Sequence, residues 1–403
     1  MRVRARLHER FVCKGVNRLT SVNNILAFTN VLKSIGGVVL AVVILLVMVT
    51  VHEFGHYVAG KILGFKINEF AVGFGPALLK KRSKKTGELF ALRVIPLGGY
   101  CAFDGEDEYD EESEEPFEET NKESEYPEPK GERFNDQPPW KRIIVLIAGA
   151  TMNYILAVFL IILMFTCVGR PVYKTVVERP EENASAVVAT DENGLQTGDI
   201  ILKIEDKNVY LITDYLDILD EKQAGDSVEF TVVRDGEKRT VLVTLATNAD
   251  FENMSDTQTL LESMGIYGLY TVTVKQGFFQ TIGNSFAYSV KIGGTVLRSL
   301  GELLTGKLGI KAMGGPVTTI KVTSQAASSG LLSFLNIAAF IGVNLAVFNL
   351  LPIPALDGCK VIFCLIEWIR KKPVNRKVET IIHLVGIIFL FAFAILVDIL
   401  QLF

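Results

Sequence analysis

The 403-residue sequence predicts a polytopic α-helical membrane protein with four transmembrane helices, a membrane-associated β-hairpin region and one small extracytoplasmic β domain. Four apolar stretches are each long enough to cross a bilayer, which takes roughly 20 helical residues. A glycine-rich, alternating stretch lies between the first two, and a turn-punctuated series of short β patterns lies between the second and third. Positive mean hydropathy together with 21 % charged residues fits apolar spans joined by ordinary soluble pieces. The net charge of -4 is small and carries no nucleic-acid footprint. Five scattered cysteines with no CxxC pair indicate neither a disulfide framework nor a thiolate metal site.

Residues 1–34 form a basic N-terminal segment, with seven Lys or Arg between Arg2 and Lys33. The first transmembrane helix is expected over 35–58. A signal peptide is the other reading, but no A-x-A-like site follows and the run ends in charged, motif-like sequence, so the helix reads as retained. Residues 59–142 follow, and Gly60–Arg142 carries thirteen Lys or Arg. The short connection 360–380 carries six more. Positive charge marks cytoplasmic connections, so both face the cytoplasm and 170–330 lies outside. The basic N-terminal segment opposes that topology. The two agree if translation begins at Val31, since a bacterial valine codon can act as initiator. Peptides from Arg2–Arg18 in native protein would refute this.

From Asn68 to Cys101 the sequence alternates (NEFAVGFGPALLKK, then TGELFALRVIPLGGYC), predicting a β-hairpin turned at Lys84–Gly87. It is apolar enough to sit against or dip into the membrane, where its backbone must be paired or line a wet cavity. Residues 104–128 hold fourteen acids and one lysine. Such a run reads as a solvated, disordered insert, with metal buffering as the lesser alternative. The second transmembrane helix is expected over 143–169 and the β domain over 170–250. Runs such as IILKI and EFTVV alternate there with turns at Glu192–Gly194, Ala224–Asp226 and Asp235–Gly236. GLQTGDIILKI, Gly194 to Ile204, resembles the PDZ signature, whose domains take up an extended peptide at a sheet edge. A small β domain that only limits access is the alternative reading, of equal weight at the level of the fold.

Residues 251–330 read as a linker holding one amphipathic helix. Ile282, Phe286, Val290, Leu297, Leu300 and Leu304 recur at helical spacing, with Lys291, Arg298 and Lys307 between. The helix lies either on the outer membrane surface or against the β domain. The third transmembrane helix is expected over 331–359 and the fourth over 381–403.

The chemistry concentrates at His52-Glu53-Phe54-Gly55-His56, which fits H-E-x-x-H. Histidines four apart share a helix face and can reach one zinc at about 2.0–2.1 Å. Glu53 is placed to take a proton from a water that zinc acidifies towards a pKa of about 7. A charged helix end at the interface is the bland alternative, but three ionisable groups closing an apolar span are costly there and point to function. A catalytic zinc keeps three protein ligands. No third histidine follows shortly downstream. His383, at the start of the last span, reads as a helix-end residue. A carboxylate is therefore expected, and Asp357 in NLLPIPALDG is best placed. Pro352 and Pro354 break the helix beside it, which at membrane depth is tolerable only in a buried or wet site. A hydrated helix-end aspartate is its alternative. If Asp357 is not the ligand, the carboxylates of Gly60–Arg142 come next, beginning with Glu69.

Taken together, HEFGH, the GFG element at Gly73, Phe74 and Gly75, IPLGGY at Ile95 to Tyr100, the outer PDZ-like domain and NLLPIPALDG resemble the site-2 protease family, most closely its bacterial regulator-of-sigma-E group. The resemblance covers nearly the whole chain after Val31. It implies a Zn2+ cofactor held by His52, His56 and Asp357, with Glu53 as base. It implies hydrolysis of single-span membrane substrates, anti-sigma factors or remnant signal peptides, after trimming by an upstream site-1-type protease. It implies a multi-pass protein of the bacterial cytoplasmic membrane, with its active site towards the cytoplasm. Asn349, Pro352, Pro354 and the Gly73–Gly75 element are implied in substrate handling, and Phe70–Tyr100 in presenting the substrate. The sequence departs from the family in having AGATMN, Ala148 to Asn153, for AGP-x-x-N, GGPVTTI for a GPVGI-like element, room for one PDZ-like domain, and the acidic insert.

Two other classes compete. A metal transporter would also put His and Asp at membrane depth, but internal repeats are missing. A membrane-anchored adaptor without catalysis would not need the intact Glu53.

Overall fold

The computed structural model describes residues 35–106, 126–177, 194–215, 222–223, 225–245, 266, 268–310 and 313–402. The N-terminal segment, most of the acidic insert, and parts of the turns expected at 192–194 and 224–226 lie outside the described residues. The chain divides into two units, 1–157 with 299–403, and 158–298.

In the first unit, α1 (Ile35–Leu63) runs one turn beyond the predicted span. It stops where Gly64 takes φ +81° and the Phe65 N–H reaches back to the Gly60 carbonyl at 2.9 Å, a bond typical of a glycine-terminated helix. β1 (Ile67–Arg82) and β2 (Leu89–Phe103) pair antiparallel around the expected turn, where the Gly87 N–H donates to Ser83 O at 2.9 Å. The register slips repeatedly between Ile67 and Leu79, with Gly73 and Gly75 in the left-handed region. Such bulges bend a strand and re-aim its side chains. The base of the hairpin is pinned by a core of Phe65, Ile67, Cys101, Phe103, Phe134, Val145, Leu146 and Cys364. Each such phenylalanine contributes on the order of 1.5–3 kcal/mol on burial.

α2 (Pro139–Cys167) begins with proline at its first position, where the missing N–H costs nothing. α3 (Phe278–Leu304) ends in this unit. α4 (Pro316–Ser329), α5 (Leu331–Asn349), α6 (Asp357–Arg370) and α7 (Arg376–Leu402) follow. Several results differ from the sequence expectation. The segment 251–330, expected to hold one helix, contains both α3 and α4. The span predicted over 331–359 is α5 followed by a turn at 350–356. The connection expected over 360–380 is helical through Arg370, because α6 has an acid in its first turn and a buried stripe of Gly358, Cys359, Cys364 and Glu367. Glu367 meets Arg142 of α2, both buried, and lies 3.5 Å from Arg376 of α7. α4 lacks a side-chain cap of its own. Instead, Asp398 of α7 accepts the N–H groups of Val317 at 3.1 Å and Thr318 at 3.3 Å. Among the described residues, four helices are long and apolar enough to cross a membrane: α1, α2, α5 and α7.

The second unit is built on an antiparallel sheet of β3 (Arg170–Val176), β4 (Ile200–Ile204), β5 (Lys207–Asn208), β6 (Ser227–Arg234), β7 (Glu237–Thr244) and β8 (Gly268–Val274), in the order β7-β6-β4-β3-β8 with β5 on β4. β8 comes from the segment expected as linker and pairs with all of β3, so the sheet extends past the predicted boundary at 250. Alternation of burial along β6 feeds one core containing Ile201, Tyr215, Phe230 and Val241. The Gly194–Ile204 stretch is fixed by Asp199, which accepts the Gln196 N–H at 2.9 Å and is gripped by Arg234 at 2.7 and 2.8 Å. α3 buries a small, mostly polar stripe of Thr281, Ser285, Tyr288, Ser289, Ile292 and Val296. Lys291 bonds Asp214 at 2.9 Å and Tyr210 bonds Asn284 at 3.1 Å, so α3 packs on the β domain. Its apolar stripe, including Phe279, Phe286, Val290 and Leu297, stays exposed.

Candidate metal centre

His52 and His56 lie on one face of α1, 9 % and 7 % exposed, with their Nε2 atoms 3.2 Å apart. Asp357, the first residue of α6, places Oδ2 3.1 Å from His52 Nε2 and 3.4 Å from His56 Nε2. The three donors form a nearly equilateral triangle. Tetrahedral ligands at about 2.0–2.1 Å from zinc stand about 3.3–3.4 Å from each other, so one ion suits all three. Among the described residues these side chains form the one group assembled to hold a metal.

The surroundings fix the protons. His56 Nδ1 lies 2.8 Å from the Val145 carbonyl oxygen, so Nδ1 carries the hydrogen and Nε2 turns a lone pair into the triangle. The amide nitrogens of Asn153 and Asn349 each lie 3.4 Å from His52 Nδ1. Asn153 Oδ1 is buried without a hydrogen-bond partner. A half-turn of that amide brings the oxygen to the His52 Nδ1–H and leaves His52 Nε2 as a second lone pair. Asp357 Oδ2 is likewise buried with no hydrogen-bond donor. Buried lone pairs facing one another are unfavourable unless a cation joins them. Two imidazoles, one carboxylate and an open fourth direction are the donor set of a catalytic zinc.

Close helix packing makes the triangle possible. A side chain at Gly55 would run into the Ala148 carbonyl, and one at Gly149 into His56 Nε2 and His52 Cε1. Glu53, half-buried, interacts electrostatically with both histidines and Asp357. Its other neighbour is β2, because a Cβ at Gly99 would stand 3.3 Å from Glu53 Cγ. A side chain at Gly98 would meet the Phe74 ring, so Phe74 packs one strand position from Gly99, the residue beside Glu53. Phe74 also stacks on Tyr100, with centroids 6.5 Å apart.

Residues 40–393 match the family model described as Peptidase family M50. The chain belongs to that family. Among its relatives, the zinc metalloprotease RasP of Bacillus licheniformis is 28 % identical, over 85 % of this chain and 93 % of its own. A putative zinc metalloprotease of Agrobacterium fabrum is 31 % identical over 91 % and 94 %. The regulator of sigma-W protease RasP of Bacillus subtilis is 26 % identical over 88 % and 95 %. Family and donor set together make this M50 member a zinc metalloprotease, and its four apolar helices give it a membrane location.

The structure gathers His52, His56, Asp357 and Glu53, and sets Asn349 against His52. Pro352 and Pro354 lie in the turn that precedes Asp357. Glu69, next in line as a ligand, is instead paired with Arg93 at 2.7 Å. Sequence reasoning noted Gly149 and Asn153 only as part of AGATMN, without a role, and missed Val145. Their signal is the spacing, three positions four apart on one face of an apolar helix.

Proposed function

We propose that His52, His56 and Asp357 hold the zinc ion, that Glu53 is the general base, and that this M50 peptidase hydrolyses peptide bonds of single-span proteins within the membrane. The observation carrying this reading is the triangle of buried donors between helices apolar enough to span a bilayer. Zinc bound there supplies Lewis acidity and makes a water available as nucleophile at neutral pH. Glu53 takes the proton from that water and delivers it to the leaving nitrogen, so that water adds across the broken C–N bond. The Gly98–Gly99 strand beside Glu53 supports a role for Phe70–Tyr100 in laying out the substrate next to the base, with Phe74 as a contact. Asn349 stands beside His52, 3.4 Å from its Nδ1, where it can meet a substrate near the metal, and Pro352 and Pro354 shape the wall that the substrate passes.

The relative named as regulator of sigma-W protease suggests anti-sigma factors as one substrate class, with remnant signal peptides as another, each after trimming by an upstream protease. The proposed topology puts the metal centre towards the cytoplasm and the PDZ-like sheet outside. There the exposed apolar stripe of α3 would rest on the outer membrane surface.

The test is Glu53→Gln. The amide cannot accept the proton, while the three ligands stay. Purified variant should retain zinc and lose about 10²–10⁴-fold in cleavage of a trimmed single-span substrate. Near-normal turnover would remove Glu53 from the role of base.

A further inference from the structure

His383 lies outside the metal triangle, yet it touches the turn that delivers Asp357. Its Nδ1 accepts a hydrogen bond from the Ala355 N–H at 3.1 Å. Ala355, two residues before Asp357, has φ 79°, a left-handed conformation that residues with a side chain rarely take. Backbone so placed persists only where its surroundings over-determine it. One turn along the same face of α7, Gly386 leaves the space that Pro354 fills, since a side chain there would run into Pro354 Cβ, C and O. Phe363 of α6 meets the His383 ring edge-on at 5.8 Å and holds its orientation. A hydrogen-bond acceptor and a slot, three residues apart, thus receive consecutive residues of the turn.

We infer that His383 and Gly386 form a clamp by which α7 positions Asp357 for the metal. They act as positioning residues and not as ligands. α7 then has a task beyond crossing the membrane, which is to hold the third donor at the distance the two histidines require. The inference rests on the proposed role of Asp357 as a ligand.

The experiment measures zinc affinity of purified full-length variants by chelator competition, with protease digestion patterns checking the fold. His383→Leu removes the acceptor and should weaken zinc about 10–100-fold, the usual range for groups that support a ligand. His383→Asn places Oδ1 where Nδ1 stood and accepts the same N–H, so it should keep most of the affinity. Gly386→Val should weaken zinc with His383 intact. Asp357→Ala is the reference and should weaken zinc more than any of them. Zinc affinity unchanged in His383→Leu and Gly386→Val, beside a weak Asp357→Ala, overturns the clamp and leaves the ligand. Equal loss in His383→Leu and His383→Asn also overturns it, because the hydrogen bond would then not be the cause. Unchanged affinity in Asp357→Ala removes the ligand and the clamp together.

Discussion

At Gly149 one methyl group decides whether two imidazoles can converge. The atoms it would strike belong to rigid rings on α1, and α1 is itself held against the Ala148 carbonyl at Gly55. Neither neighbour can give way without opening the helix pair. Gly149→Ala should therefore lower zinc affinity at least 10-fold, comparable to losing a group that supports a ligand, and Gly149→Val should lower it further. Metal content after dialysis, compared with Gly36→Ala, whose added methyl meets nothing, checks this. The carboxylate is as sensitive in charge as the glycine is in space. Asp357→Asn keeps the shape and loses the negative charge, so it should bind zinc nearly as poorly as Asp357→Ala. Full zinc occupancy in both, with activity lost, would move Asp357 from ligand to substrate contact.

Among the elements, two are held by single acids reached from elsewhere in the chain. Asp398 caps α4 from the far end of α7, supplying the acceptor that Gly315 at the helix start cannot. Asp398→Ala should cost α4 about 0.5–2 kcal/mol, read as faster hydrogen exchange at Val317 and Thr318. Arg234 and Asp199 form a second such device in the β unit, with Asp199 1 % exposed. Removing one partner of a buried pair strands the other charge, at about 3–5 kcal/mol. Arg234→Leu should make the β unit protease-sensitive at a lower temperature and leave zinc content unchanged, because the metal donors belong to the other unit. Loss of zinc in that variant would contradict the independence of the two.

For the whole molecule, the proposed metal donors bring α1 and the first residue of α6 together, and other contacts hold these elements in place. The core around Phe65, Phe103, Phe134 and Val145 and the buried Arg142–Glu367 pair bind α1, the hairpin, α2 and α6 without a metal. Chelation should therefore abolish cleavage reversibly, and readdition of zinc should restore it, with the digestion pattern of the apo protein close to that of the holo protein. A collapse of that pattern on chelation would make the metal a folding element instead.

Much of this was legible in the sequence because it is local. Hydropathy over some twenty residues marks helices that can span a bilayer, and glycine flanked by alternating apolar residues marks a hairpin. Histidines four apart on one helix declare their shared face, and a proline-broken apolar run next to Asp357 nominates the third donor. Other features depend on pairings between distant segments, which no window of sequence contains. The family resemblance offered Asn349 as a substrate contact, and the structure sets it at His52. Sequence could not show that Val145, Gly149 and Asn153 face the histidines, that β8 joins the sheet from beyond its apparent end, or that Asp398 caps α4. Nor could it show that His383, which reads as an ordinary helix-end residue, receives the backbone of Ala355. Apolar periodicity says which face of a helix is buried. Which neighbour buries it, and which backbone group needs a partner there, is settled only when the whole chain packs.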